Sequence, residues 1–154
     1  MKIALLFFAL FVPAIFAQSP LAPNAPKDKP VHSEAEKFAA LDRAIAPYVA
    51  KARATYPDAK KRFLAGLPPR HVFFLTTRLH DKKGNVEQVF IEVRSITHDK
   101  VSGIIASDIL DVEGFKRGDA YTFAESEMLD WLISKPDGTE EGNVVGNFLD
   151  TYQP

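Results

Sequence analysis

The side chain best suited to ligand chemistry in this sequence is the carboxylate of Asp130, which precedes Trp131, the only tryptophan of the chain. Asp130 lies within a stretch of alternating apolar residues, where a charge needs a partner to offset its loss of water. A bond to a neighbouring turn would supply that partner, and so would a bound ligand. Asp130 and Trp131 are therefore the candidate ligand-binding residues. The alignment of Trp131 with Leu129 and Ile133 favours a place for the indole in the core.

The histidines suggest a second kind of site, a metal centre. Pairing of Leu79 with Val86 across the first predicted hairpin would carry His71 toward the far end of the second strand. His98 and Asp99 follow that strand, so His71, His98 and Asp99 form a candidate metal site. Protein metal sites normally need three or four converging ligands, and the sequence has no HExxH or CxxC spacing. Exposed histidines at strand ends are the ordinary alternative, and we predict no cofactor.

Other catalytic arrangements find little support in the residue pattern. The chain contains no Gly-x-Ser-x-Gly motif and no glycine-rich phosphate loop after a predicted strand. Asp108, Asp111 and Asp119 fall at predicted turns, where aspartate commonly bonds to its own backbone. A general acid and base need two carboxylates held across a cleft, which sequence spacing does not establish here.

Composition restricts the class of protein. The 154 residues suit one domain, and 19 basic against 20 acidic residues give a net charge of −1. Nucleic-acid binding normally needs a concentrated basic surface, so we predict no nucleic-acid partner. Cysteine is absent, which excludes disulfides and thiolate chemistry.

The N-terminus has the pattern of a targeting segment. Residues 1–17 combine Lys2, an apolar run and small residues, as in a secretory signal peptide cleaved near Ala17. Residues 18–30 carry four prolines and predict an extended linker. We predict a single domain over residues 31–154, located in the periplasm or secreted, with no membrane span after signal cleavage.

The first part of this domain has helical periodicity. Ser33 and Glu36 have the spacing of a capping box, and apolar residues follow at helical intervals. Pro47 and Pro57 can each occupy the first position of a new helix, so the sequence predicts three short helices that end before Gly66.

The rest of the domain is rich in β-branched and aromatic residues separated by turn signals. Gly103, inside the third predicted strand, indicates a bulge or a close backbone approach. Residues 143–152 fit either a helix or a strand. The expected fold is α+β, with the short helices packed on a curled antiparallel sheet of about five strands, either open or closed as a small SH3-like barrel. The predicted strands are 71–79, 86–96, 101–107, one through Tyr121 and Phe123, and 128–133.

Several segments, in this order, resemble a bacterial family of unknown function, the domain of unknown function 2314. The resemblance covers about residues 47–154. It implies a compact strand-rich fold and no catalytic residues, because the family has no agreed activity. The segments that carry it are RFLAGLPP (62–69), EQVFIEVRSI (87–96), GIIASD (103–108), FKRGD (115–119) and LDWL (129–132).

These observations favour a small extracytoplasmic protein that binds a protein or envelope component without catalysis. The alternative is a hydrolase or metal-dependent enzyme of the cell envelope that uses Asp130 or the neighbourhood of His71 and His98. A third hypothesis, suggested by related families, is an immunity-like inhibitor of a bacterial toxin. The sequence leaves the oligomeric state open.

Overall fold

The computed structural model describes residues 35–152, with side chains from Phe38 onward. The predicted signal peptide, the proline-rich linker and the Ser33 cap lie outside the described residues. No helix within residues 35–152 has both the length and the apolar character needed to cross a bilayer. The elements are α1 (Ala35–Ala65), β1 (Val72–His80), β2 (Val86–Thr97), β3 (Lys100–Ile105), β4 (Ala120–Ala124), a 3-10 turn (Glu125–Glu127), β5 (Asp130–Ser134), β6 (Glu140–Gly142) and α2 (Val144–Leu149).

One long helix, α1, replaces the three short helices expected from the prolines. Pro47 and Pro57 both lie inside it, so the prediction that each would start a new helix was wrong. Both prolines are exposed, and so are Arg43 and Arg53, whose carbonyl groups lose their intrahelical donors. Residues four apart lie on the same face of a helix, so each of these carbonyls is on the exposed face that carries the proline. Water can therefore solvate it.

Packing explains why α1 continues through its prolines. Its buried side chains repeat at helical intervals across both of them: Leu41, Ile45, Ala52, Tyr56 and Ala59. A proline inside a helix costs about 3 kcal/mol relative to alanine. Full burial of one large apolar side chain contributes about 1.5–3 kcal/mol. Three large side chains of the stripe contribute about 4.5–9 kcal/mol, against about 6 kcal/mol for two prolines, so burial offsets the prolines, provided that α1 has a surface to pack against.

That surface is an antiparallel sheet of six strands in the order β4-β3-β2-β1-β5-β6. The α+β prediction is confirmed, with one strand more than expected, because the three-residue β6 is too short to show alternation. The sheet is open, with β4 and β6 at its edges, so the closed barrel is not formed. The sheet is curled. Three strands separate β4 from β5, yet Phe123 of β4 and Ile133 of β5 belong to one core cluster with Ala59 of α1.

Local features of the sheet follow the sequence. The β2–β3 hairpin turns at His98 and Asp99, both with positive φ (48° and 61°). The predicted irregularity at Gly103 is confirmed, since the register between β2 and β3 shifts between Val93 and Ser95, next to it. A Cβ on Gly103 would collide with the carbonyl oxygen of Glu92 and lie 2.7 Å from Cγ2 of Ile91. Only glycine allows β2 and β3 to approach so closely.

Two further details differ from the expected arrangement. Leu79 pairs with Glu87 rather than Val86, a difference of one residue in the β1–β2 register. Residues 144–149, ambiguous in sequence, form α2, which packs on the first half of α1 through Val145, Leu41 and Ile45. A third cluster, centred on Phe74, Ala106 and Leu132, includes no α1 or α2 residue.

Candidate functional site

Asp130 is the first residue of β5 and is 1% exposed. One carboxylate oxygen, Oδ1, accepts the N–H of Trp131 at 2.8 Å. The other, Oδ2, accepts the N–H groups of Val145 at 2.6 Å and Gly146 at 3.4 Å. The side chain therefore joins β5 to the beginning of α2, which is a bond to a neighbouring segment of the kind that the sequence pattern allowed.

The role of Asp130 follows from an incomplete helix cap. Asn143 is the N-cap residue of α2, but its backbone is left-handed (φ 54°) and its side chain makes no capping bond. The first N–H groups of a helix have no partner within the helix and need an acceptor from elsewhere. Asp130 supplies that acceptor from a distant strand, and its charge suits the positive end of the helix.

Burial and hydrogen bonding act in opposite directions on Asp130. Burial raises the pKa of its carboxyl group, because the ionised form loses water. The N–H donors of Val145, Trp131 and Gly146 lower the pKa and offset part of this effect. The net pKa stays above the usual value for aspartate, so the ionised carboxylate is held at a cost in stability.

Trp131 points to the opposite face of β5, as alternation along a strand requires. Its indole N–H donates to the carbonyl of Ala52 at 3.1 Å and to the hydroxyl of Thr55 at 3.0 Å, both on α1. Gly142 backs the ring so closely that a Cβ there would lie 2.8 Å from Cε3. The two candidate binding residues thus do not share a surface, and Trp131, 8% exposed, joins the sheet to α1.

The three predicted metal ligands do not form a cluster. His71 precedes β1, and its Nδ1 lies 3.3 Å from the carbonyl oxygen of Pro69. His98 and Asp99 occupy the tight β2–β3 turn. Within the described part of the chain, no group of three or more His, Cys, Asp or Glu side chains could hold a metal ion.

Glu87 is a buried carboxylate that the sequence analysis missed. It is 1% exposed and accepts N–H groups from three consecutive residues of the β3–β4 connection. The distances are 3.0 Å to Leu110, 2.9 Å to Asp111 and 3.2 Å to Val112. A signal was present, because Glu87 shares its strand face with Val89 and Ile91, both buried. Its bonds fix the connection to β2.

A groove lies between α1 and the end of β1. This α1 groove has a volume of about 420 Å³ and is lined by Asp42, Ile45, Ala46, Val49, Ala50, Arg53, Arg78 and Leu129. Its floor is apolar, and its charged groups are two arginines and one aspartate. None of its charged residues was singled out from the sequence, since they come together only when α1 packs beside β1 and Leu129.

The arginines of the α1 groove are held in defined positions. Arg78 pairs with Asp42 through both carboxylate oxygens, and its guanidinium carbon lies 4.8 Å from the centre of the Phe38 ring. Arg53 donates to the carbonyls of Met128 and Ser126, each at 3.0 Å. Among the described residues, Nε of Arg78 is buried and has no hydrogen-bond partner.

Comparison with known proteins gives a family and no activity. Searches of curated proteins and of solved structures found no significant match. The sequence profile of one family, described as an uncharacterized protein conserved in bacteria (DUF2314), matches residues 39–151. The match begins within α1 and ends after α2, so it covers the elements that form the sheet, the Asp130 cap and the α1 groove. The chain belongs to the DUF2314 family.

Proposed function

We propose that this protein is an extracytoplasmic binding module without catalytic activity, which holds a segment of an envelope protein in the α1 groove. The observation that carries the proposal is the groove itself, with an apolar floor beside two arginines. The chemically conspicuous side chains of the core are already engaged in structural bonds: Asp130 caps α2, Glu87 fixes residues 110–112 and Trp131 bonds to α1.

The lining of the groove indicates what it would bind. Ile45, Val49 and Leu129 offer contacts to an apolar side chain, while Arg53 and Arg78 outnumber the single carboxylate of Asp42. A ligand carboxylate could accept from the guanidinium groups of Arg53 and Arg78, which line the groove. A hydrogen bond to a charged group contributes about 1.5–3 kcal/mol. The expected ligand is therefore a protein segment that carries an apolar side chain next to a carboxylate.

A matched pair of α1 variants tests the groove. Ala50→Glu places a carboxylate in the groove, where it would pair with the arginines and repel an acidic ligand. Ala54→Glu adds the same charge one turn further along, at an exposed position that does not line the groove. Envelope proteins retained by the wild type and by Ala54→Glu, but lost with Ala50→Glu, would support the proposal. Equal retention by all three proteins, or no retention by any, would refute it.

A small probe removes the dependence on an unknown partner. N-acetyl-leucine carries one apolar side chain and one carboxylate on about twelve heavy atoms, and ~0.3 kcal/mol per atom predicts a dissociation constant of a few millimolar. Saturable NMR shifts should appear at Val49 and Ala50 in the wild type and in Ala54→Glu, and be absent in Ala50→Glu. Shifts scattered over the surface, or unchanged by Ala50→Glu, would contradict binding in the groove.

The proposed location rests on residues 1–17 and has its own test. When the full-length chain is expressed in cells that can export it, the mature protein should begin near Gln18, as measured by mass spectrometry. A protein that keeps Met1 and stays in the cytoplasm would refute the extracytoplasmic location and leave the groove proposal to its own tests.

A further inference from the structure

The two edges of the sheet are protected to very different degrees. β6 has three residues, two of which are glutamates, and Glu141 pairs with both Arg62 and Lys135. β4 has five residues, AYTFA, with no charge, no proline and no bulge. Natural sheets normally protect an edge strand with a charge, a proline, a bulge or a short length, because an exposed edge can pair with a strand of another molecule.

Backbone bonds fix which groups of β4 point outward. Glu125 N–H donates to the carbonyl of Asp99 at 2.8 Å, and Ile105 N–H donates to the carbonyl of Asp119 at 2.9 Å. Bonding toward a given neighbour alternates along an antiparallel strand, so the odd-numbered residues bond to β3. The residues whose backbone groups point away from β3 are Ala120, Thr122 and Ala124.

We infer that β4 pairs with β4 of a second copy of this chain, antiparallel, about a two-fold axis at Thr122. In this register Thr122 exchanges both backbone bonds with the partner's Thr122. The N–H of Ala120 donates to the carbonyl of the partner's Ala124. In the single chain Glu127 accepts the N–H of Ala124 at 3.2 Å. Pairing exchanges that bond for one from the same N–H to the carbonyl of the partner's Ala120.

The side chains of β4 suit this register. Tyr121 and Phe123 lie on the core face, where their rings stack with centres 6.1 Å apart. The two-fold axis sets Tyr121 opposite the partner's Phe123, and directly opposed aromatic residues stabilise paired strands. On the other face Thr122 is exposed and shares a 2.8 Å hydrogen bond with Ser102. No like charges meet within the strand.

Charges beside β4 favour a second copy over other occupants. Exposed Lys116 and Arg117 precede the strand, and exposed Glu127 follows it, whereas Glu125 already pairs with Lys60 of its own chain. Antiparallel pairing brings the basic end of one copy to the acidic end of the other. Because the same surface serves both copies, the contact is self-complementary and closes at a dimer. A five-residue edge buries less than the roughly 800 Å² per partner of a standard interface, so association should be weak.

Sedimentation velocity on the purified protein, at concentrations up to about the millimolar range expected for a small interface, tests the inference. The expected result is a monomer–dimer equilibrium. Thr122→Lys sets two like charges opposite each other at the axis and should raise the dissociation constant at least tenfold. Ser102→Lys is the control, because Ser102 lies beside Thr122 on β3 but away from the edge. It should leave the dissociation constant within about twofold.

A charge exchange tests the register itself. Thr122→Glu alone should also be monomeric, and mixing it with Thr122→Lys should restore a dimer containing one copy of each. A monomeric wild type, an unchanged dissociation constant in Thr122→Lys, or no dimer in the mixture would overturn the inference. Open-ended growth of the wild type would do the same, since the proposed contact closes at two copies. These measurements do not involve the α1 groove.

Discussion

Replacing Asp130 by alanine is the sharpest test of how the C-terminal part of the fold is held. The substitution removes the acceptor of the Val145 and Trp131 N–H groups, at 2.6 and 2.8 Å, and the longer bond to Gly146 at 3.4 Å. Each buried donor left without a partner costs about 1–3 kcal/mol. Release of the buried charge returns part of this, so we expect a net loss of about 2–4 kcal/mol.

Urea unfolding measures this loss. With a slope of about 1–3 kcal/mol per molar urea, the midpoint should fall by roughly 1–2 M. Asp137→Ala is the matched control, because Asp137 also accepts a backbone N–H, that of Thr139 at 2.9 Å, but lies exposed in a turn. It should lose less than about 1 kcal/mol. Hydrogen exchange at Val145 should accelerate in Asp130→Ala and stay unchanged in Asp137→Ala.

The reasoning would be refuted if Asp130→Ala lost no more stability than Asp137→Ala. A variant more stable than the wild type would carry a further meaning. It would show that burial of the carboxylate outweighs its capping bonds, so that the presence of Asp130 needs a functional reason. The ligand contact that the sequence left open as an alternative would then become the preferred explanation.

The remaining predictions concern pH, close packing and buried bonds. Burial raises the pKa of Asp130 in the folded protein. The stability that this carboxyl group contributes is therefore fully present below its pKa in the unfolded chain, near 3.9, and is lost as pH rises through its pKa in the folded protein. The advantage of the wild type over Asp130→Ala in urea should therefore be larger at pH 4 than at pH 7, and the opposite trend would contradict the raised pKa. Gly103→Ala should lose about 1–3 kcal/mol, because the new Cβ meets the Glu92 carbonyl, which belongs to the backbone; a neutral result would show that β2 can move away. Trp131→Phe should lose about 1–2 kcal/mol through the bonds to Ala52 and Thr55, and an unchanged thermal midpoint would show that these bonds add nothing. Glu87→Ala should make residues 106–119 sensitive to limited proteolysis, whereas wild-type resistance would mean that other contacts hold that connection.

The features that the sequence predicted correctly depend on local chemistry. The β2–β3 turn, the irregularity at Gly103 and the end of α1 before Gly66 each follow from a residue type that suits one backbone conformation. The family resemblance was likewise confirmed, over residues 39–151. These features can be predicted without knowing which distant residues contact them.

The features that it missed depend on partners far along the chain. Pro47 and Pro57 look like boundaries until the sheet supplies a surface for α1. Apart from the bond from Trp131 to Asp130, the donors to Asp130 and Glu87 are distant in sequence, at residues 145–146 and 110–112. The α1 groove needs three separate segments, which contribute Asp42, Arg78 and Leu129. Sequence could flag the two carboxylates as charges on apolar faces, but it could not name what they bind.

The prolines inside α1 also bear on the order in which the chain folds. An isolated helix is marginal in water even with a good sequence, and two interior prolines at about 3 kcal/mol each prevent α1 from forming alone. The β1–β2 hairpin, in contrast, joins residues close in sequence through the turn at Asp81–Asn85. We therefore expect strand pairing to precede helix formation. Shortening the side chain of Ile45 should mainly speed unfolding, while changes in the β1–β2 turn should slow folding.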